Sequence, residues 1–301
     1  MTPADGKQRF RSGFVAIVGA PNVGKSTLLN QLLGQKISIT SKKPQTTRNR
    51  IVGILQRPAA QIVFVDTPGI HAATKALNVR IVEAATNALG DVDLVLLLTD
   101  ASTSAQEAER VLLGKLERVR QPLILAINKI DLVQRPRLLE QIAGWDQRFR
   151  FDEIVPISAR SGEQVDRLTA AVEERLPEGP ALFPLDDLTD VPERFLVAEW
   201  IREKVFRLTG QEVPYAAAVT VDTFKEDAVK GLVEIAATIH VERASQKGII
   251  IGKKGVKLKQ IGSEARRDIE QLLQRKVFLT LFVRVQKNWS RDARALRRFG
   301  Y

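Results

Sequence analysis

Gly19-Ala20-Pro21-Asn22-Val23-Gly24-Lys25-Ser26 follows the apolar run Phe14–Val18 and precedes Thr27-Leu28-Leu29, where a helical pattern begins. Every fixed position of G-x-x-x-x-G-K-S/T is met, in the strand–loop–helix context that the pattern needs. Glycines let backbone N–H groups turn inward onto phosphate oxygens. Lys25 brings a point charge to the β- and γ-phosphates, and Ser26 offers a hydroxyl to Mg²⁺. Residues Gly19 to Thr27 are therefore expected to hold a nucleoside triphosphate.

Outward from this loop the first half of the chain alternates apolar runs with helical patterns. Val15–Val18, Ile62–Val65, Leu94–Leu98, Leu123–Ile127 and Ile154–Ile157 read as strands, with helical periodicity in Glu107–Val119 and Asp166–Leu176. Strands separated by helices predict a doubly wound, mostly parallel α/β sheet with ligands beyond the carboxyl ends of its strands. Pro177-Glu178-Gly179-Pro180, with Pro184 after it, breaks the pattern and reads as a linker spanning about 177–191. Two domains are expected, residues 1–184 and 192–301. The second carries a helix (Arg194–Leu208), two strands (Tyr215–Phe224 and Val229–Val241), a glycine loop, a helix (Val256–Leu273) and a last strand (Val277–Val285).

The sequence contains no cysteine, so disulfides and thiolate metal sites are excluded. The polar start, Met1–Gly13, lacks the apolar run of a signal peptide, and the longest apolar run is too short to span a bilayer. The net charge of +11 is confined to one end: residues 241–301 hold 16 Lys and Arg against 5 Asp and Glu, and the rest is neutral. Such a block suits a polyanionic partner, nucleic acid or an anionic membrane surface; a solvated basic face is the plainer alternative.

Three further motifs stand at strand ends. Asp66-Thr67-Pro68-Gly69 can hold Mg²⁺ through Asp66 and leave room at Gly69 for a backbone N–H to face a γ-phosphate. Asn128-Lys129-Ile130-Asp131 selects the base: the acceptor-only carboxylate of a desolvated Asp131 fits the N1–H and 2-amino donors of guanine, and adenine would leave it unpaired. Ser158-Ala159 can give a backbone N–H to the guanine carbonyl. The polar stretch Ser41–Arg48 offers Thr47, with Thr46 next, as a threonine that closes on Mg²⁺ when the γ-phosphate is present. The expected metal ligands are thus Ser26, Thr47 and Asp66. Ile70 stands where many GTPases carry a water-orienting glutamine, so slow intrinsic hydrolysis is expected. Asn22 could instead help hold a potassium ion that supplies charge during hydrolysis, or merely brace the loop. Asn22, Lys25 and Thr47 are the expected catalytic residues.

In the basic block, Ile249-Ile250-Ile251 reads as a strand end, followed by Gly252-Lys253-Lys254-Gly255 and a helix. A G-x-x-G loop admits nucleic-acid backbone, and Lys253, Lys254 and Lys257 would meet phosphates, extended by Arg266 and Arg267. The order of elements resembles a KH domain of type II topology. His71 and His240 stand alone and are assigned no metal. The three tryptophans read as packing residues, with Trp289 the most open to another role.

Gly19–Ser26 with Pro21-Asn22, Pro44-Gln45-Thr46-Thr47-Arg48-Asn49-Arg50, Asp66–Gly69, Asn128–Asp131, Ile157-Ser158-Ala159 and Gln246–Gly252 together resemble the Era-like bacterial GTPases over nearly the whole chain. The resemblance implies a P-loop G domain followed by a smaller α+β KH domain. It also implies GTP/GDP and Mg²⁺ as ligands, and binding near the 3′ end of 16S rRNA in assembly of the 30S subunit. A monomer in the cytoplasm, with peripheral contact to the inner membrane, is expected. The chain departs from the family at Ala72-Ala73-Thr74-Lys75, where a lysine- and proline-containing run is usual. Two other readings stay open: a peripheral membrane switch anchored by the basic tail, and an RNA-binding scaffold that keeps GTP as a structural ligand.

Overall fold

The computed structural model describes residues 9–40, 51–66, 92–103, 106–117, 119–209, 213, 217–227 and 231–299. Two compact units divide the chain. The first holds residues 1–38, 47–73 and 81–190; the second holds 39–46, 74–80 and 191–301.

In the first unit, β1 (Arg11–Gly19), β3 (Ala60–Asp66), β4 (Leu94–Asp100), β5 (Leu123–Asn128) and β6 (Glu153–Pro156) run parallel, and β2 (Ile51–Arg57) pairs antiparallel with β3. The strand order is β2-β3-β1-β4-β5-β6. β3 and β5 are buried at every residue. That explains why their sequences are continuous apolar runs rather than alternations: helices cover both faces of the sheet. One face packs Val95, Leu97, Leu123 and Leu125 against Leu112 and Leu116 of α2 (Gln106–Leu116) and Trp145 of α3 (Arg135–Arg148). α1 (Lys25–Leu33) buries Leu28, Leu29 and Leu32 and stops at Gly34, whose φ of 64° closes the last turn. α4 (Val165–Arg175) follows β6. β1, β3 and β5 end at Gly19, Asp66 and Asn128, so three motif-bearing strand ends lie along one edge of the sheet.

The stretch expected to be a linker is a hydrogen-bonded strap of the first unit. The backbone N–H of Ser12 donates to Pro177 O at 3.1 Å and that of Ile54 to Leu188 O at 2.9 Å. Buried Gln61 accepts from the N–H groups of Leu182 and Phe183 at 2.6 and 2.9 Å. Prolines ended the helical pattern, as the sequence indicated, but the polar edge of the sheet then captured the chain.

The second unit places α5 (Glu193–Leu208), α6 (Ala244–Ile251) and α7 (Val256–Leu273) with a sheet of order β7-β8-β9: β7 (Ala218–Asp227) antiparallel to β8 (Leu232–Val241), and β8 parallel to β9 (Lys276–Val285). Val233, Ile235, Ala237 and Ile239 of β8 meet Trp200 and Ile201 of α5 and Ile261, Ala265 and Ile269 of α7 in one core. Ile39 belongs to that core, and the N–H of Thr40 donates to Glu203 Oε1 at 2.9 Å. A short α8 (Ala293–Arg298) closes the chain, with Trp289 and His240 both buried against Phe299. Trp289 is thus a packing residue. Among the described residues no helix is long and apolar enough to cross a membrane.

Ile249-Ile250-Ile251 is not a strand end. It closes α6, whose start is capped by Gln246 Oε1 accepting the N–H groups of Glu242 and Arg243 at 3.0 Å each. The cap fixes a helix, and only Ile250 of the three isoleucines is buried.

Candidate nucleotide site and nucleic-acid cleft

The turn from β1 into α1 needs its glycines. A Cβ on Gly19 would lie 2.4 Å from Leu98 O, and Gly24 sits at φ 107° with Asn128 Nδ2 where a side chain would go. Asn22 also takes a left-handed conformation, φ 66°, and its side chain is exposed. Ala20 and Val23 are buried. Lys25 is buried inside its own loop, with Nζ donating to Gly19 O and Ala20 O at 3.0 Å each. Burial lowers its pKa to about 8, against the opposing attraction of Asp66. Phosphate oxygens would replace these carbonyls and restore the full charge.

Ser26 Oγ donates to Asp66 Oδ2 at 2.8 Å, which brings the expected loop hydroxyl and strand-end acid together. Ser38 Oγ donates to the same oxygen at 3.0 Å, a partner that no motif announced. A hydroxyl beside a carboxylate is a hard-oxygen pair suited to Mg²⁺, which takes few protein ligands and fills the rest from phosphate and water. Thr47, Thr67, Pro68, Gly69 and Ile70, with His71 and Ala72-Ala73-Thr74-Lys75, lie outside the described residues.

The base-side motif is tied to the phosphate loop. Asn128 Nδ2 donates to Val23 O at 2.7 Å, and its Oδ1 accepts the N–H of Ala159 at 2.9 Å. Lys129, at φ 64°, spans from Asn22 O at 2.9 Å to the Asp100 carboxylate. Burial opposes charge on Asp100, but hydrogen bonds from Lys129 and Ser102 outweigh it and hold its carboxyl below the usual range. Ile130 and Asp131 form a single turn of 3₁₀ helix with Leu132. Ser158 Oγ donates to Asp131 Oδ1 at 2.7 Å, orienting a carboxylate that is otherwise exposed. Two expectations change. Asp131 is not desolvated by the protein, so a bound base must exclude the water. The Ala159 N–H already serves Asn128, so any bond to a guanine carbonyl would be shared.

In the second unit, Gly252-Lys253-Lys254-Gly255 joins α6 to α7. Gly252 (φ 70°, ψ 177°) holds a conformation open to glycine alone, and a Cβ there would meet that of Lys257 at 2.8 Å. Lys253, Lys254, Arg266 and Arg267 are exposed, and Lys257 is half-buried. Beside the loop an open cleft of about 480 Å³ runs between α7 and β9. It is lined by Gly255, Leu258, Lys259, Gly262, Ser263 and Arg266, with Leu279 and Leu281 opposite. Arg266 faces this cleft and Arg267 does not line it. Sequence reasoning missed Lys259 and the apolar floor. The signal was present as Leu258, Gly262 and Arg266, a stripe of period four on α7.

A 50S ribosome-binding GTPase family model matches residues 14–129, and a KH domain model matches residues 212–290. Fold and motifs together define a P-loop GTPase carrying a KH domain. The chain is 61% identical to GTPase Era of Geobacter metallireducens, over 97% of this chain and 98% of that protein. It is 57% identical to GTPase Era of Geotalea uraniireducens, over 98% and 99%. It belongs to the Era family of GTPases. Two crystal structures each superpose with a TM-score of 0.93 at 42% identity, covering 97% of this chain and 99% of the other: a point variant of Aquifex aeolicus Era bound to GDP·AlF4⁻, and Era in complex with MgGDPNP and nucleotides 1506–1542 of 16S ribosomal RNA.

Proposed function

We propose that this chain is a GTP-driven switch that binds 16S rRNA near its 3′ end and assists assembly and maturation of the 30S subunit. The observation that carries the reading is a clamped guanine-type site and a cation-lined G-x-x-G cleft on one chain. The RNA fragment bound by the relative supplies the partner's identity. Residues 1–184 would be the G domain and 192–301 the RNA-binding domain of a monomer. Its place is the cytoplasm, and its basic end gives it a peripheral affinity for anionic inner membrane.

In this reading Lys25 neutralises charge gathering on the β- and γ-phosphates while water attacks the γ-phosphorus. Ser26, Asp66 and Thr47 would hold Mg²⁺, which when bound would supply Lewis-acid stabilisation of charge on the phosphate oxygens. Asn22, exposed at the loop's left-handed turn, is suited to hold K⁺ against the same phosphates. Equal turnover in sodium and potassium buffers would remove that role. Lys253, Lys254, Lys257, Arg266 and Arg267 meet RNA phosphates.

Crosslinking to RNA with GTP and with GDP, followed by mapping of both partners, tests the whole. Crosslinks at the α7–β9 cleft whose yield changes with nucleotide are expected. Crosslinks that ignore the nucleotide would leave two unconnected modules.

A further inference from the structure

We infer a second RNA contact on the opposite face of β9, where Phe278 and Phe282 act as stacking platforms for bases that leave the α7–β9 cleft. The inference rests on that cleft being the RNA site. β9 alternates: Val277, Leu279, Leu281 and Val283 turn into the core, so Phe278, Thr280, Phe282 and Arg284 stand on the other face. Phe278 is 58% exposed and Phe282 55%; no other aromatic ring among the described residues reaches this level. β9 is an edge strand, and its Leu279 and Leu281 line the cleft. A strand of RNA crossing that edge passes directly from one face to the other.

The chemistry favours nucleic acid over protein. The two rings are four residues apart, about 13 Å along the strand. Thr280 and its cross-strand neighbour Ala236 lie between them, so the rings are separate platforms rather than one apolar patch. Lys276 and Arg284, both exposed, flank them on the same face. Glu234 stands opposite Phe278, but Lys225 is its neighbour in register on β7. Separate aromatic faces bracketed by cations are the features that hold single-stranded nucleic acid, because every base has a π-face to stack. The cores of protein interfaces are instead depleted of lysine. Elsewhere on this sheet face Phe299 covers His240 at a ring separation of 4.4 Å. Thr238, the cross-strand neighbour of Phe282, is buried and donates through Oγ1 to Asp222 Oδ2 at 2.6 Å, while Asp222 and Lys225 of β7 stay exposed.

The test uses the full chain with Mg²⁺ and a non-hydrolysable GTP analogue. Fluorescence anisotropy compares a 16S 3′-end RNA of roughly four nucleotides, the span of a G-x-x-G clamp, with one about three times as long. Phe278→Ala/Phe282→Ala is expected to weaken the long RNA about tenfold or more and leave the short one unchanged. Phe282→Trp should retain binding, with its new indole quenched by the long RNA, whereas Phe282→Leu should not retain it. Arg266→Glu/Lys259→Glu should weaken both RNAs. Unchanged affinity of the double phenylalanine variant for the long RNA, while the cleft variant loses both, would overturn the inference and spare the cleft. No loss in the cleft variant would overturn the cleft reading itself. Dissociation of a dimer by Phe278→Ala/Phe282→Ala, seen by sedimentation without an RNA effect, would assign the face to a second copy and overturn the stacking role. Thermal melts equal to the parent's are expected, since both rings are largely outside the core.

Discussion

Ser26 Oγ and Asp66 Oδ2 lie 2.8 Å apart, and Ser38 Oγ donates to the same carboxylate oxygen at 3.0 Å. Ser38 is fully buried and orients the acid without belonging to any motif. Partners that position a metal-binding carboxylate typically contribute about 10–100-fold to metal affinity. Ser38→Ala should therefore weaken Mg²⁺-dependent GTP binding about tenfold while leaving binding measured in EDTA nearly unchanged. Calorimetry with and without the metal checks the split. An equal loss in both would place Ser38 in loop packing alone.

Lys25 makes nucleotide binding a proton-linked event. Burial lowers its pKa to about 8 from 10.5, so the nucleotide-free protein sheds this proton before the unfolded chain does. Between those values the unfolded state binds more protons, and stability of the nucleotide-free protein rises with pH. Below 8 the full cost of the buried charge is present, about 3 kcal/mol. Phosphates restore the charge. Binding of GDP one pH unit above 8 should take up nearly one proton, and one unit below 8 almost none. Titration calorimetry in buffers of differing ionisation enthalpy measures the uptake, and Lys25→Met should abolish it.

Ser158 Oγ donates to the Asp131 carboxylate at 2.7 Å, and in the proposed reading that carboxylate accepts two N–H groups from one base edge. Asp131→Asn replaces one acceptor oxygen with a donor. Guanine then sets its 2-amino group against an amide N–H₂, whereas xanthine offers a carbonyl at that position. The variant should lose at least about a hundredfold in GTP affinity and gain xanthosine triphosphate, because an unmatched polar edge is strongly rejected. Competition binding with the two triphosphates reads both changes. Retained GTP preference would remove Asp131 from base recognition.

The parallel strands and the nucleotide loops were legible because burial on both faces writes unbroken apolar runs, and because phosphate binding demands glycine at fixed places. β2 was not. Its sequence, Ile51–Arg57, carries Gly53, whose missing side chain makes room for Leu29 and Leu33 at 2.7 Å from where a Cβ would be. That is a packing requirement without a local signature. α3 was missed although Leu138, Ile142 and Trp145 stand at helical spacing and pack on the core; of its 14 residues only Trp145 is fully buried, so the stripe is narrow. At α6 the β-branched run Ile249–Ile251 argued for a strand, and the cap at Gln246 decided for a helix. Ser38 reaches its site through a tertiary contact, and spacing along the chain carries no record of it, whereas Lys259 was legible in the helical spacing of α7.

Glu203 anchors a buried network in the second unit. It accepts the Thr40 N–H at 2.9 Å and pairs with Lys204 at 3.4 Å and Arg207 at 3.5 Å; Lys204 continues to Asp268 of α7 at 2.5 Å. Truncation would leave buried Lys204 with one anion and strand the Thr40 donor. Glu203→Ala should cost about 3–5 kcal/mol in denaturant unfolding of the second unit. Glu203→Gln keeps an acceptor for Thr40 and should cost less. Equal losses would mean that the charge, not the Thr40 bond, holds the network.

Salt dependence separates the loop lysines from the cleft. Lys253 and Lys254 are exposed in the turn before α7, placed to meet phosphates, whereas Arg266 lines the cleft where bases would lie. Each phosphate neutralised on a single strand contributes about 0.7 to the slope of log affinity against log salt. Lys253→Ala/Lys254→Ala should therefore flatten that slope by about 1.4 and weaken RNAs of every sequence alike. Arg266→Ala should lower affinity with a smaller change in slope and a larger change in sequence preference, since a guanidinium in the cleft can stack on a base or bond its edge. Anisotropy titrations across a salt series, on matched and scrambled RNAs, distinguish the two. An unchanged slope in the double lysine variant would take the Gly252–Gly255 loop off the RNA backbone.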